Sequence, residues 1–212
     1  MRPSAAELRA LSRRDPAVGA LLRRHGPYPD FPLPQVRRWT HFQMLARAIV
    51  FQQLAGNAAR AIFRRVHQLS PGPRFPTPRE LLNTPPERLR AAGLSRNKML
   101  SLLDLAEKAE SGALRLRSVH RMPDSVIVEH LAEVRGIGVW TAQMFLIFRL
   151  GRLDVLPALD LGVQEGIRRL DGLSRRPTPK EVELRGDVWA PLRSVGSWLM
   201  WRLCDTKAPG AT

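Results

Sequence analysis

Residues 134–160 read VRGIGVWTAQMFLIFRLGRLDVLPALD. Gly136, Ile137 and Gly138 predict a tight hairpin that opens into an apolar helix. That helix runs out at Gly151, and a loop containing Pro157 ends on a lone carboxylate, Asp160, at the start of the next helix. Two glycines around one apolar residue let the backbone reverse with its amides outward, supply a positive φ and leave room for an anion to approach. The N-terminus of the following helix adds unpaired N–H donors and a partial positive charge. Thr141 stands where it can cap that exit helix. An anion grip followed by a single acid is the frame for the rest of the chain.

Outward from this stretch, nearly every periodic segment reads as helix. Thr77-Pro78-Arg79-Glu80, Thr84-Pro85-Pro86-Glu87 and Thr178-Pro179-Lys180-Glu181 repeat one start signal. In each, Thr is the N-cap, Pro falls in the first turn and Glu closes a capping box. One helix is expected from Ala5 to about Arg24. A second begins near Thr40, with Phe42, Leu45, Ile49 and Val50 on one face, and breaks at Gln52-Gln53. A third runs from Gly56-Asn57 to Leu69. Ser95 caps a helix that stops at Gly112, and Asp124 caps the helix entering the hairpin. Leu161–Leu170 and roughly 182–204, interrupted by Pro191, complete the set. No segment alternates with period two, so the expected fold class is all-α.

The 212 residues carry 34 Lys plus Arg against 19 Asp plus Glu, a formal charge of +15. An excess of that size favours a polyanionic partner, because neutralising phosphates releases condensed counterions. One cysteine, Cys204, leaves no disulfide framework and no four-cysteine cluster. The five histidines are not spaced as paired ligands, and no cofactor is expected. With no apolar run long enough to span a bilayer and no secretory h-region, the expectation is a soluble protein of the cytoplasm with no membrane partner, on the nucleoid if nucleic acid is its target.

The hairpin string V-R-G-I-G-V-W-T-A resembles the helix-hairpin-helix element of the DNA glycosylase superfamily. The segment LPALDLGVQEG (156–166) resembles the loop and aspartate of its alkylated-base branch, called AlkA-like or 3-methyladenine DNA glycosylase II. RAIVFQQLAGNAARAIFRRV (47–66) is similar to the branch's R-A-I-x-x-Q-Q segment, and PLRSVGSWLMWRLCD (191–205) to its closing P-x-R-S helix. The chain departs from the pattern at Leu159, where the family often has Gly, and at Leu192, where an aromatic is common. The resemblance implies a two-lobed helical fold with a DNA groove between the lobes. Residues 1–38 would then be a helical and turn-rich lead, and 39–212 one globular unit of two interleaved lobes.

It also implies roles. Asp160 is the catalytic carboxylate: cleaving an N-glycosidic bond builds an oxocarbenium-like sugar, which one nearby carboxylate stabilises. A helix N-terminus favours the ionised form that this task needs. Gly136, Ile137, Gly138 and Thr141 hold phosphate. Gln53 is the wedge that fills the gap left by a flipped base, and Gln52, Phe51, Trp140, Leu192 and Trp198 line the base pocket. Carbonyls of Ala132, Val134 and Ile137 are candidates for a monovalent cation. Trp189, Trp198 and Trp201 otherwise read as core. Trp140 occupies the position where bifunctional relatives carry a Schiff-base lysine, so the implied activity is monofunctional: hydrolytic release of alkylated bases from double-stranded DNA by a monomer. A hairpin module that only grips DNA would keep the glycines and have no use for Asp160.

Overall fold

The computed structural model describes residues 2–205. Among these, all regular structure is helical. The first helices are α1 (Ala5–Arg14), α2 (Pro16–His25), α3 (His41–Phe51) and α4 (Gly56–His67). Next come α5 (Pro78–Leu82), α6 (Pro86–Ala91), α7 (Arg96–Ser111) and α8 (Asp124–Ala132). The chain closes with α9 (Val139–Phe148), α10 (Leu161–Leu170), α11 (Pro179–Gly186) and α12 (Arg193–Asp205). No helix among the described residues is long and apolar enough to cross a membrane.

Local chemistry explains the boundaries, including those that differ from expectation. The segment expected as one helix is split at Asp15, whose φ of −133° and ψ of 91° are extended. Its N–H donates to the Leu11 carbonyl at 2.9 Å, ending α1, and its Oδ1 accepts the Val18 N–H at 3.1 Å, capping α2. Pro16 then occupies the position where a missing N–H costs least. Thr77 and Thr178 form complete capping boxes with Glu80 and Glu181. Thr84 does not, because its hydroxyl donates back to the Glu80 carbonyl at 2.7 Å and Pro85 takes the cap position. Asp124 is the first residue of α8 and Pro123 its cap. The start at Thr40, the cap at Ser95 and the left-handed stop at Gly112 (φ 80°) stand as expected.

The chain forms two compact units, one made of residues up to Gln35 with those from Leu146 on, the other of Val36–Phe145. In the first, Leu11, Val18, Val163, Ile167, Val182, Trp189, Val195 and Leu199 are buried, and α10 packs on α12, α2 on α12. Close approach of α10 and α12 needs Gly166, where a Cβ would lie 2.6 Å from the Met200 Cα. Trp189 is fully buried against Gly196, and its indole N–H donates to Asp15 Oδ2 at 2.8 Å. Arg185 bridges Asp15 at 2.7 Å and Asp171 at 2.8 Å. In the second unit, Leu45, Ile49, Leu102, Leu105, Ile127 and Leu131 are fully buried, each stabilising by about 1.5–3 kcal/mol. Phe63 and Phe75 stack at 5.2 Å beside them.

Burial alone would raise the Asp15 carboxyl's pKa, but Arg185, the Trp189 N–H and the Val18 N–H outweigh it and hold the group below its ordinary value. A depressed folded-state pKa gives stability that is full above the unfolded value near ~4 and is lost as pH falls through the folded one. Asp15→Asn should therefore lower stability at neutral pH by about 2 kcal/mol and flatten its loss below about pH 4, read from urea midpoints across pH. A parallel acid slope in variant and parent would remove Asp15 from that role.

Candidate active site

The hairpin lies in the 36–145 unit. Between α8 and α9, the Val134 N–H donates to Leu131 O at 3.1 Å and the Ile137 N–H to Val134 O at 2.9 Å. The two glycines have different reasons to be glycine. Gly136 sits at φ +78°, and a Cβ there would lie 2.7 Å from Ser101 Oγ. Gly138 has no positive φ, and a Cβ there would meet nothing of the chain within 4 Å. Smallness at Gly136 is thus an internal requirement, whereas at Gly138 it leaves outward space above the amides that open α9. The first bond of that helix runs from the Ala142 N–H to Gly138 O, so the preceding amides form its anion-facing end. Ile137 is buried and contributes backbone only. Thr141 is the third residue of α9 and buried, so it does not cap the helix. Trp140, in the first turn, is 43% exposed.

Four hydrogen bonds brace this region. Gln52 Nε2 donates to the Gly136 carbonyl at 2.8 Å, the Arg135 N–H donates to Asp104 Oδ2 at 2.8 Å, and Lys98 Nζ donates to the Val50 and Gln52 carbonyls at 2.7 Å each. Gln52 therefore ties the α3 end to the hairpin. Lys98, which sequence reasoning did not single out, places a cation on the α3 C-terminus, where the helix dipole favours it; burial pushes its pKa down. Next to this brace Gln53 is exposed at φ 53°, a left-handed setting that costs a non-glycine residue about 1 kcal/mol or more. Phe51 packs edge-on against Phe63 at 6.2 Å, with the Arg47 guanidinium 3.8 Å over its ring.

Asp160 lies in the other unit and is the N-cap of α10. Its Oδ1 accepts the Val163 N–H at 2.9 Å and the Trp201 indole N–H at 2.9 Å. Trp201 thus has a polar task beyond the core role expected for it, and its ring also packs on Phe148 at 5.4 Å. The indole fits because residue 162 is glycine: a Cβ would lie 2.9 Å from Trp201 Cδ1 and 3.0 Å from Asp160 Oδ1. The approach loop is fixed from α12. Ser194 Oγ accepts the Val155 N–H at 3.0 Å and donates to Arg152 O at 2.8 Å, while Arg193 forks onto Asp154 at 2.7 and 2.8 Å. Gln164 Nε2 donates to Ala158 O at 2.9 Å. Asp160 is almost buried, yet its neighbours Leu159 and Leu161 are 56% and 62% exposed.

Two expected pocket residues are placed differently. Leu192 is 1% exposed at the foot of α12, so its side chain has no free surface for a base, and Trp198 is buried edge-on against Tyr28 at 5.8 Å. Glu165 pairs with Arg168 and Arg169, whose hydrogen bonds hold its carboxyl at about 2. Among the described residues no group of three His, Cys, Asp or Glu forms a metal site. Of the three carbonyls considered for a monovalent cation, that of Ala132 belongs to the last residue of α8, at the helix's negative end, and Val134 O keeps a second lone pair after its turn bond with the Ile137 N–H.

Gly136→Ala should destabilise the protein by about 1–3 kcal/mol through strain and the Ser101 contact, while Gly138→Ala should stay within about 1 kcal/mol, compared by chemical denaturation. Equal losses would mean that both glycines serve the fold.

The chain matches the family model described as HhH-GPD superfamily base excision DNA repair protein over residues 46–191. It is 38% identical over 162 residues to DNA-3-methyladenine glycosylase 1 of Schizosaccharomyces pombe, covering 76% of this chain and 71% of that one. The solved structure of the S. pombe 3-methyladenine DNA glycosylase Mag1 with abasic DNA superposes with a TM-score of 0.82 at 34% identity, over 93% of this chain and 96% of that one. A DNA-3-methyladenine glycosidase from Bacillus halodurans gives a TM-score of 0.85 at 32% identity, over 97% and 92% of the two chains. The hairpin and the aspartate loop both lie within residues 46–191, and the chain belongs to the HhH-GPD superfamily of base excision DNA repair proteins.

Proposed function

We propose that this protein is a monofunctional DNA glycosylase of the 3-methyladenine DNA glycosylase II type. In this reading it binds double-stranded DNA as a cytoplasmic monomer and hydrolyses the N-glycosidic bond of alkylated bases such as 3-methyladenine and 7-methylguanine. The observation that carries the reading is Asp160, a buried carboxylate oriented by the Val163 and Trp201 N–H groups on a loop clamped by Arg193 and Ser194. Relatives named for 3-methyladenine support the substrate class.

The chemistry follows from the residues. As the glycosidic bond lengthens, positive charge grows on the deoxyribose, and a preorganised carboxylate stabilises it without reorganising. The same group can orient or deprotonate the incoming water. An alkylated purine that already carries positive charge leaves without a second acid to protonate it. That matches the pairing of nearby carboxylates: Asp154 is committed to Arg193, and Glu165 to Arg168 and Arg169. Trp140 offers an exposed π face to an electron-poor base, worth roughly 1–3 kcal/mol. It has no amine to attack the sugar, so the strand stays intact. Gln53, held out in a left-handed turn, serves as the wedge. The Gly138 end of α9 faces a phosphate, and a cation on the hairpin carbonyls would supply further positive charge there.

Two experiments test the reading. Asp160→Asn keeps the helix cap but should slow base release from methylated duplex by about 10²–10³-fold or more, with affinity for an abasic-analogue duplex retained. The product should need alkali for strand scission, and borohydride should trap no covalent adduct; a trapped adduct, or full activity in the Asn variant, defeats the proposal. Trp201→Phe keeps the ring on Phe148 and removes one hydrogen bond to Asp160, so kcat should fall about tenfold with KM nearly unchanged. A change confined to KM would make Trp201 a binding wall and not a positioning residue.

A further inference from the structure

Between Asp30 and Glu80 the chain has no acidic residue and eight arginines. This is the stretch that carries the Gln53 turn. Three of the eight arginines serve the fold. Arg74 and Arg79 pair with Glu80 and Glu110, and Arg65 donates to Ala92 O at 2.8 Å. Arg47 differs. It is half-buried on α3, its guanidinium lies 3.8 Å over the Phe51 ring, and among the described residues it has no hydrogen bond and no carboxylate in reach. It thus stacks a cation six residues before Gln53, one helical turn before the end of α3.

On the other side of that turn stands Arg60 in the second turn of α4. Its Nη2 donates to Asn57 Oδ1, and its guanidinium lies over Gly56, where a Cβ would be 3.3 Å from Nη1. Arg60 likewise has no carboxylate partner among the described residues. Burial, and then the charge of Arg60, push the Arg47 pKa down. A half-buried cation in the field of another cation carries a cost that an anion between them would relieve. Stacking on Phe51 fixes the plane of the Arg47 fork, the geometry suited to bidentate capture of a phosphate.

We propose that Arg47 and Arg60 form an anion site for one DNA phosphodiester beside the Gln53 turn, with Phe51 as the platform that orients Arg47. This second grip rests on the DNA-binding reading and is separate from the glycine hairpin. It fixes the backbone next to the wedge, so the side chain that enters the stack is referenced to the strand it enters. Contacts of this kind position without reading sequence.

The test measures equilibrium binding to an undamaged blunt duplex lacking terminal phosphates, over a series of salt concentrations. Arg47→Gln and Arg60→Gln should each weaken binding about tenfold at low salt, and the double variant should lose about 0.9 from the slope of log K against log salt, the share of one phosphate. Arg47→Lys should keep the slope and lose affinity, because charge survives but the stacked fork does not. Arg60 is exposed, so its variant carries the test if Arg47→Gln fails to fold. An unchanged slope in the double variant overturns the proposal. So does a slope change seen only on duplexes with terminal phosphates, which would assign a phosphomonoester site instead. Base release by the unaltered protein is scored separately: its absence would sink the glycosylase reading and leave the slopes to judge this one.

Discussion

The geometry around Asp160 depends on how closely two helices can approach. α10 carries Asp160 as its cap, and α12 carries the indole that donates to it. Gly162 and Gly166, one turn apart on α10, remove the side chains that would hold α12 away: at 162 from the Trp201 ring, at 166 from the Met200 backbone. Since both donors reach Oδ1, the carboxylate is set by the helix and by its neighbour together. Packing density is what makes this rigid, because a close-packed crossing has few alternative settings. The same helix reaches back through Arg193 and Ser194 to the loop before the acid. Position, orientation and approach of a single carboxylate thus derive from one crossing.

In the other unit, ties of a similar kind serve the backbone. Gln52 binds the hairpin carbonyl of Gly136, and Lys98 binds carbonyls at the end of α3. Both keep the ladder's loose ends satisfied, as buried backbone groups require. Their effect is to set an exposed, strained Gln53 on a braced turn. A side chain that must enter a base stack meets resistance, and a turn held at both ends transmits that force to the fold rather than yielding.

The sequence was legible where a residue acts on its own neighbours. Thr77, Thr178 and Ser95 announce their helices because a cap and its partner sit three residues apart. Asp160 was legible for the same reason, as was Gly136 at its positive φ. Reading failed where two signals competed locally or where the partner is remote. Thr84 has the spacing for a box, but the preceding turn offers its hydroxyl a carbonyl first. Asp15 looked interior to a helix until its side chain capped the next one. Trp201, Lys98 and Arg193 act over 41, 46 and 39 residues of sequence, and no local pattern marks such pairs. The spacing of Gly162 and Gly166 was the available trace of Trp201, since small residues at i and i+4 predict a close helix neighbour. The resemblance implies a pocket role for Leu192, yet the fold uses it to fill the core.

Charge adds a constraint that packing alone does not. The surplus of cations is not spread evenly: carboxylates cluster on caps and on arginine pairs, at Glu80, Glu165 and Glu181, each held at about 2 by its partners. Those acids neutralise arginines that serve the fold. The stretch 31–79 that carries Gln53 has no acid of its own, and Arg47 and Arg60 within it pair with no carboxylate among the described residues. In a folded chain, repulsion among such cations raises the free energy of the unbound state, and a bound anion lowers it. The strain in the Gln53 backbone and the repulsion between Arg47 and Arg60 are both costs borne by the free protein. A duplex backbone relieves the second cost, and the affinity it gains there can offset the unstacking of a base, which otherwise opposes every step that follows.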